Sequence, residues 1–239
     1  MTAYPNTHSQ ADTKRGGALW LSKQATFLLI LVAILFGSAG RLDWGLGWLQ
    51  VGLYAVTVLG QALILIPRNP ALIAERSRLQ PGSKGWDIVL ASLAAIWLPI
   101  ATWVVAGLDA RYGWSAPLPL ALIVAAVAVF LLSYGFVIWA MASNPFFAAT
   151  VRIQSERGHT VATDGPYRLV RHPGYLGALV FQLATPCTLG SWWALIPSGL
   201  ASLLYVVRTA LEDKTLLDEL DGYSDYARQV RYRLLPGVW

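Results

Sequence analysis

Four apolar runs, at about residues 20–38, 44–66, 86–107 and 117–141, are long enough, or nearly so, to cross a bilayer as helices. A fifth stretch, about 173–210, is too long for one crossing. Pro186, Gly190 and Pro197 interrupt it, which predicts two helices in a tight hairpin turning near Leu189-Gly190-Ser191. The pattern predicts an all-α fold, a polytopic transmembrane helical bundle of about six spans with the last two as a helical hairpin. Three regions follow: a polar N-terminal tail over 1–19, a four-span scaffold over 20–142, and a region over 143–239 that combines the hairpin with cytoplasmic segments.

Composition agrees with this class. Of 239 residues, 56% are hydrophobic and only 13% charged, and most of the Trp residues fall near span ends, where indole rings favour the interface. Positive charge sets the orientation. With six spans, the N-terminal segment, the 67–85 loop, the 142–172 loop and the C-terminal tail share one side. That side carries 16 of the 18 Lys and Arg residues, and only Arg41 and Arg111 lie opposite. A multi-pass integral membrane protein with both termini cytoplasmic is expected, in a prokaryotic inner membrane. The net charge of +5 follows from the same bias, and no basic-aromatic surface outside the juxtamembrane segments suggests nucleic acid.

Residues 1–19 are expected to be mobile, and the first apolar run lacks the flanks of a removable signal peptide. The single Cys187 excludes an internal disulfide and a cysteine-based metal cluster. His8, His159 and His172 have no metal-ligand spacing, so no metal is expected. Gln61 lies well inside a span and Gln24 nearer an end; interhelical hydrogen bonding or function would each explain them.

The polar segments carry more specific signals. The 67–85 loop predicts a short interfacial helix between prolines, with its basic groups facing anionic lipid and no catalytic role. Ser143-Asn144-Pro145 is a cap-plus-proline start, so residues 145–157 predict an amphipathic surface helix stopped by Gly158. Residues 159–163 then read as extended, and Asp164-Gly165-Pro166 as a turn.

That turn leads into Tyr167-Arg168-Leu169-Val170-Arg171-His172-Pro173-Gly174-Tyr175-Leu176-Gly177. Pro173 suits the first turn of a helix, because its missing N–H would have no intrahelical partner there. His172 then occupies the cap and Tyr175 lies near the same face. Gly174 and Gly177 allow close approach by a helix or ligand. First-turn N–H groups beside Arg171 and His172 make a candidate anion site, although interfacial anchoring by Arg and Tyr would explain the same residues. Further on, Arg208 and Glu212 are four apart and share a helical face. They read either as an ion pair before a basic-aromatic tail on the bilayer, or as a second functional cluster.

The run His159 to Tyr167, followed by Arg171 to Gly177, resembles the signature of integral-membrane methyltransferases, the isoprenylcysteine carboxyl methyltransferases and related phospholipid methyltransferases. The Arg208…Glu212-Asp213…Tyr223…Tyr226 region is similar to the family's second motif. The resemblance covers about 145–239. It departs from the family in having Glu212-Asp213 where many members have paired glutamates, and in a shorter tail around Asp221-Gly222. The ending Val230 to Gly237 is also similar to that of NADPH-using membrane sterol reductases.

The resemblance implies S-adenosylmethionine as cofactor, and no Rossmann-type strand–glycine-turn–helix unit is present to bind it in the soluble manner. It implies cofactor-binding positions at His159, Gly165, Tyr167, Arg171, His172, Pro173, Tyr175, Gly177 and Glu212, and catalytic positions at Arg208 and Glu212. Within that frame Arg171 and His172 suit the methionine carboxylate, and Tyr167 and Tyr175 the adenosine or sulfonium. Glu212 suits ribose hydroxyls or the ammonium, His159 the adenine edge, and Arg208 an acceptor carboxylate. The implied partners are membrane lipids and a lipophilic acceptor, with a prenylcysteine-type carboxylate first. A phospholipid amine, a thiol, an NADPH-dependent reductase and a non-enzymatic adaptor are the other readings, and oligomeric state is left open.

Overall fold

A computed structural model describes residues 10–76 and 80–239, which form helices joined by irregular segments, with no strand among the described residues. Helix α1 covers Gln10–Ala39, α2 Gly45–Arg68, and the short α3 Pro70–Arg76. Helix α4 (Gly85–Ser92) continues through a π-helical turn, Leu93–Trp97, into α5 (Leu98–Tyr112). Helix α6 (Leu120–Ser143) precedes a long irregular segment. Then α7 (Pro173–Thr188) and α8 (Leu195–Glu219) form the hairpin, and α9 (Tyr223–Gln229) follows. The helical bundle expected from hydropathy is present.

Five helical segments, Arg15–Ala39, Gly45–Arg68, Gly85–Tyr112, Leu120–Ser143 and Leu195–Glu219, are long and apolar enough to cross a membrane. The further crossing in a six-span count is α7, whose 16 residues reach about 24 Å against a hydrocarbon core of about 30 Å. Residues 10–19, read as part of a polar tail, belong to α1; residues 1–9 lie outside the described residues.

Helix α6 packs along α7, α7 along α8, and α1 along α5. The α6–α7 contact depends on Gly177: a Cβ there would stand 2.6 Å from Val137 Cγ2 and 2.7 Å from the Ser133 carbonyl oxygen, distances no side chain tolerates. The hairpin turns through Gly190 at φ 73°, a left-handed conformation that glycine adopts without penalty. At this end, buried Asp109 of α5 accepts hydrogen bonds from the Ser115 N–H (2.7 Å) and the Ser191 hydroxyl. Ser115 Oγ in turn accepts from the Trp192 N–H at 2.9 Å, so the hairpin is fastened to α5.

The π turn has a local cause and a packing consequence. Pro99 has no N–H to donate, and the Leu98 N–H reaches back to the Leu93 carbonyl. The Ala94 carbonyl, left without its helical partner, accepts from Gln182 Nε2 of α7 at 3.2 Å.

Residues 145–157 do not form the expected amphipathic helix. They form a turn, an irregular stretch and one 3₁₀ turn at Ser155–Arg157. Side chains satisfy the backbone that a helix would have satisfied. Asn144 Oδ1 accepts from the Phe146 N–H at 2.8 Å, fully buried Gln154 donates to the Phe146 carbonyl at 2.7 Å, and Arg157 to the Pro145 carbonyl at 3.0 Å.

The C-terminal segment, for which a tail on the bilayer is one of two readings, is tied to the bundle. It folds back onto the opening of α7: the N–H groups of Arg171 and His172 donate to the carbonyls of Tyr232 and Arg233, both at 2.9 Å.

Candidate functional site

A cavity of about 430 Å³ is lined by residues of the 144–172 segment, by Tyr223 and Tyr226 of α9, and by helices α1, α2, α6, α7 and α8, within the size range of small-molecule sites. Of the positions singled out from sequence, His159, Tyr167, Arg171, His172, Tyr175, Arg208 and Glu212 all line it. Pro173 starts α7 with His172 at the cap, as the cap-plus-proline rule requires. Gly165, Pro173 and Gly177 are absent from the wall. Gly165 takes φ 60° against Ser143 and Trp139 of α6, and Gly177 serves helix packing. Gly174 does face the cavity, and a Cβ there would meet the Phe147 ring at 2.5 Å.

Arg171 and His172 are organised by Asp213, which is fully buried. Arg171 donates to both carboxylate oxygens, Nε to Oδ1 at 2.7 Å and Nη2 to Oδ2 at 2.9 Å. Its Nη1 donates to the carbonyls of Val230 (3.0 Å) and Arg231 (2.9 Å). Arg233 Nε donates to Oδ2 at 2.7 Å and the Tyr223 hydroxyl to Oδ1 at 2.9 Å, with His172 Nε2 at 3.2 Å from the same oxygen. Burial and the Asp213 charge drive the Tyr223 hydroxyl pKa far up, so it stays a donor. Arg171 is therefore a neutralised strut that ties α7, α8 and the C-terminal segment together.

Arg208, 4% exposed, faces Asp87 at the start of α4 and not Glu212. The pair is two-pronged: Nε to Oδ1 at 2.7 Å and Nη2 to Oδ2 at 3.0 Å. Asp87 Oδ2 also accepts from the Val151 N–H at 2.7 Å. The Arg208 guanidinium lies 4.9 Å from the Tyr175 ring centroid and 5.9 Å from that of Tyr205.

Glu212 receives the Tyr175 hydroxyl. Among the described residues, no Lys, Arg or His lies within ion-pair distance of its carboxylate.

Around Glu212 the wall is aromatic. Tyr167 is buried, with its hydroxyl 3.2 Å from Asn144 Nδ2, and burial raises its pKa. Tyr226 donates to the Tyr167 carbonyl at 2.7 Å. His159 Nδ1 accepts from the Gln154 N–H at 3.3 Å. Burial, then the Arg157 and Arg152 charges, lower its pKa to about 4, so at neutral pH the ring is uncharged.

The opposite arm of the cavity is lined by spans α1, α2 and α6, including Trp20, Gln24, Tyr54, Gln61 and Tyr134. Tyr54 donates to Gln24 at 2.7 Å and Gln61 to Tyr134, so both glutamines make the interhelical bonds their positions suggested.

Sequence reasoning missed three contributors. Asp87 reads as an ordinary polar end of an apolar run, and Asp213 as the less notable neighbour of Glu212. Arg76 was assigned to a lipid-facing loop helix. Helix α3 is present, but Arg76 points inward to the cavity, donating to the carbonyls of Ala148 at 3.1 Å and Phe147 at 3.4 Å. Arg68 is exposed, and Arg78 lies outside the described residues. The lone acids beside apolar runs were the available signal.

Residues 124–218 match the model of the isoprenylcysteine carboxyl methyltransferase (ICMT) family. The match covers less than half of the chain. The segment contains α7, all of α8 but its last residue, and every cavity residue from His159 to Glu212. Probable protein-S-isoprenylcysteine O-methyltransferases from Oryza sativa subspecies indica and japonica are each 30% identical over 86 residues, 35% of this chain and 45% of theirs. A Delta(14)-sterol reductase TM7SF2 from Mus musculus is 29% identical over 178 residues, 65% of this chain and 39% of its own. The chain thus spans less than half the length of these curated relatives. The family match stops short of α3, α4 and α9, so Arg76, Asp87 and Arg233 lie outside it.

Proposed function

We propose that the protein is an integral-membrane methyltransferase that uses S-adenosylmethionine and methylates a lipophilic acceptor, a carboxylate of prenylcysteine type. The observation that carries this reading is the continuity of one cavity, from a polar, aromatic end built by the family motif to an end enclosed by membrane helices. A water-soluble donor and a membrane-soluble acceptor can meet there. The charge split in the sequence supports placing the motif end and both termini in the cytoplasm.

The residues present suit such a donor at the Glu212 end. An unneutralised carboxylate among Tyr167, Tyr175 and Tyr223 favours a ligand carrying positive charge and hydroxyls. Neutral His159 offers an edge for a heterocycle. Arg171 and His172, expected to take the donor's carboxylate, are engaged by Asp213 and act by holding α7, α8 and the C-terminal segment in register.

S-adenosylmethionine would supply a methyl group already activated by its sulfonium. The chain's residues then have to align the acceptor and exclude water. Tyr175 fixes Glu212 through its hydroxyl and lies under Arg208. Arg208, locked by Asp87, sets a positive potential at the junction of the two arms, which favours an anionic nucleophile. A carboxylate needs no base at neutral pH, since its ordinary pKa is near 4.

The test is equilibrium binding of radiolabelled S-adenosylmethionine and of NADPH to the detergent-purified chain. Saturable binding of the former alone is expected. Saturable binding of NADPH alone would assign the protein to the reductase class that its likeness to the mouse protein also allows.

A further inference from the structure

Arg76 lines the cavity and is half-buried. Its guanidinium donates to two carbonyls and lies 5.3 Å from the Phe147 ring centroid. Among the described residues no carboxylate is within ion-pair distance of it. Glu75, its neighbour in α3, is committed to Arg152 at 2.7 Å. Each buried arginine of the cavity has an acid: Arg208 has Asp87, Arg171 has Asp213, and Arg152 has Glu75. A half-buried guanidinium without a counterion gains from a ligand that provides one.

Its position selects the ligand. The charged and ionisable side chains acting on Arg76 are Tyr134, Tyr205, Arg208 and Tyr175, which belong to the membrane-enclosed arm and the junction. Glu212 acts on Tyr167 and Tyr223, and also on Tyr175 and Arg208 at the junction. Among the described residues the cavity thus holds a carboxylate and a guanidinium without ion-pair partners: Glu212 among the tyrosines of the motif, and Arg76, on which Tyr134 of α6 acts. Burial and the Arg208 charge weaken the hold of Arg76 on its proton, and an anion between the two arginines would relieve both.

We infer that Arg76 binds the carboxylate of the methyl acceptor, with Arg208 positioned behind it. This rests on the methyltransferase reading for the word acceptor, and it makes Arg76 a specificity-determining residue outside the family-matched segment. The planar fork of Arg76 can engage one carboxylate oxygen while the other remains free toward the junction. Acceptors with an uncharged or cationic head would supply no counterion to the guanidinium.

The experiment measures binding of N-acetyl-S-farnesylcysteine and of its carboxamide to the full-length protein in nanodiscs, with S-adenosylmethionine binding measured alongside. The wild type is expected to prefer the acid. Arg76→Gln should weaken acid binding by about 10- to 100-fold and leave the carboxamide and S-adenosylmethionine unchanged. Arg76→Lys, which keeps the charge and guards against a folding artefact, should retain part of the preference. Equal preference for the acid in wild type and Arg76→Gln would overturn the inference, as would a wild type that does not discriminate. Loss of S-adenosylmethionine binding in Arg76→Gln would also overturn it, by assigning Arg76 to the donor's carboxylate. An Arg76-dependent acid preference in a protein that binds no S-adenosylmethionine would uphold the carboxylate site while removing the methyltransferase reading.

Discussion

Arg208 and Asp87, 121 residues apart in the chain, form a two-pronged ion pair at 2.7 and 3.0 Å with the carboxylate fully buried. The pair joins α8 to α4, and through the Val151 N–H it also holds the irregular segment that roofs the cavity. Removing one partner strands the other charge. Asp87→Ala should therefore cost about 3–5 kcal/mol of stability, read as a lowered thermal midpoint in detergent. Arg208→Lys keeps the charge but loses the fork. It should fold with a smaller loss in midpoint and show substantially reduced methyl transfer with near-normal donor binding.

Asp213 and Arg233 should respond very differently to substitution. Asp213 is the common acceptor for Arg171, Arg233 and Tyr223, so Asp213→Ala leaves several buried donors without a partner. Arg233 is partly exposed, and its loss leaves Asp213 still bound by Arg171 and Tyr223. Asp213→Ala should abolish a cooperative melting transition, or lower its midpoint far more than Arg233→Ala does. Limited proteolysis should detect release of the C-terminal segment in Arg233→Ala, because that arginine anchors it to α8.

His159 gives a pH signature with a definite sign. Its folded pKa, about 4, lies below the ordinary value of about 6.5. Between those values the unfolded chain binds more protons than the folded one, so stability rises with pH across that window. The neutral-ring contribution is complete above about pH 6.5 and is lost as the pH falls toward 4. The difference in thermal midpoint between wild type and His159→Asn should be flat from pH 7 to 8 and shift against the wild type between pH 6.5 and 4. A difference independent of pH throughout would mean that folding leaves the His159 pKa at its ordinary value.

What local rules govern, the sequence made readable. Pro173 and His172 define the start of α7 because a missing N–H and a cap are properties of adjacent residues. Pro186, Gly190 and Pro197 bracket the hairpin, whose turn falls at Gly190 as its φ of 73° demands. Long-range satisfaction was not legible. The amphipathic pattern at 145–157 predicts a helix, yet Asn144, Gln154 and Arg157 bond its backbone carbonyls and N–H groups into a loop. Arg208 and Glu212 share a helical face, but nothing local indicates that one turns to Asp87 and the other to Tyr175. Arg76 illustrates the same limit. A basic residue in an amphipathic interfacial segment reads as lipid-facing until its neighbours from α6 and the 147–148 carbonyls are known.

Glu212 offers the most direct test of the donor end. Its carboxylate has one hydrogen bond, from Tyr175, and no cationic partner among the described residues. A ligand carrying positive charge would supply the missing counter-charge. Glu212→Gln preserves volume and can still accept from Tyr175, but removes the charge. Because no ion pair inside the protein is broken, the thermal midpoint should stay close to that of the wild type. Loss of a charge-assisted hydrogen bond, about 1.5–3 kcal/mol, should weaken S-adenosylmethionine about 10- to 100-fold. Sinefungin, which carries an amine in place of the sulfonium, should lose affinity in parallel. A demethylated, uncharged thioether product analogue that retains the ammonium should lose less if Glu212 faces the sulfonium, and as much if it faces the ammonium. Calorimetric titration of wild type and Glu212→Gln with the three ligands separates these outcomes, and equal affinities throughout would remove Glu212 from the donor site.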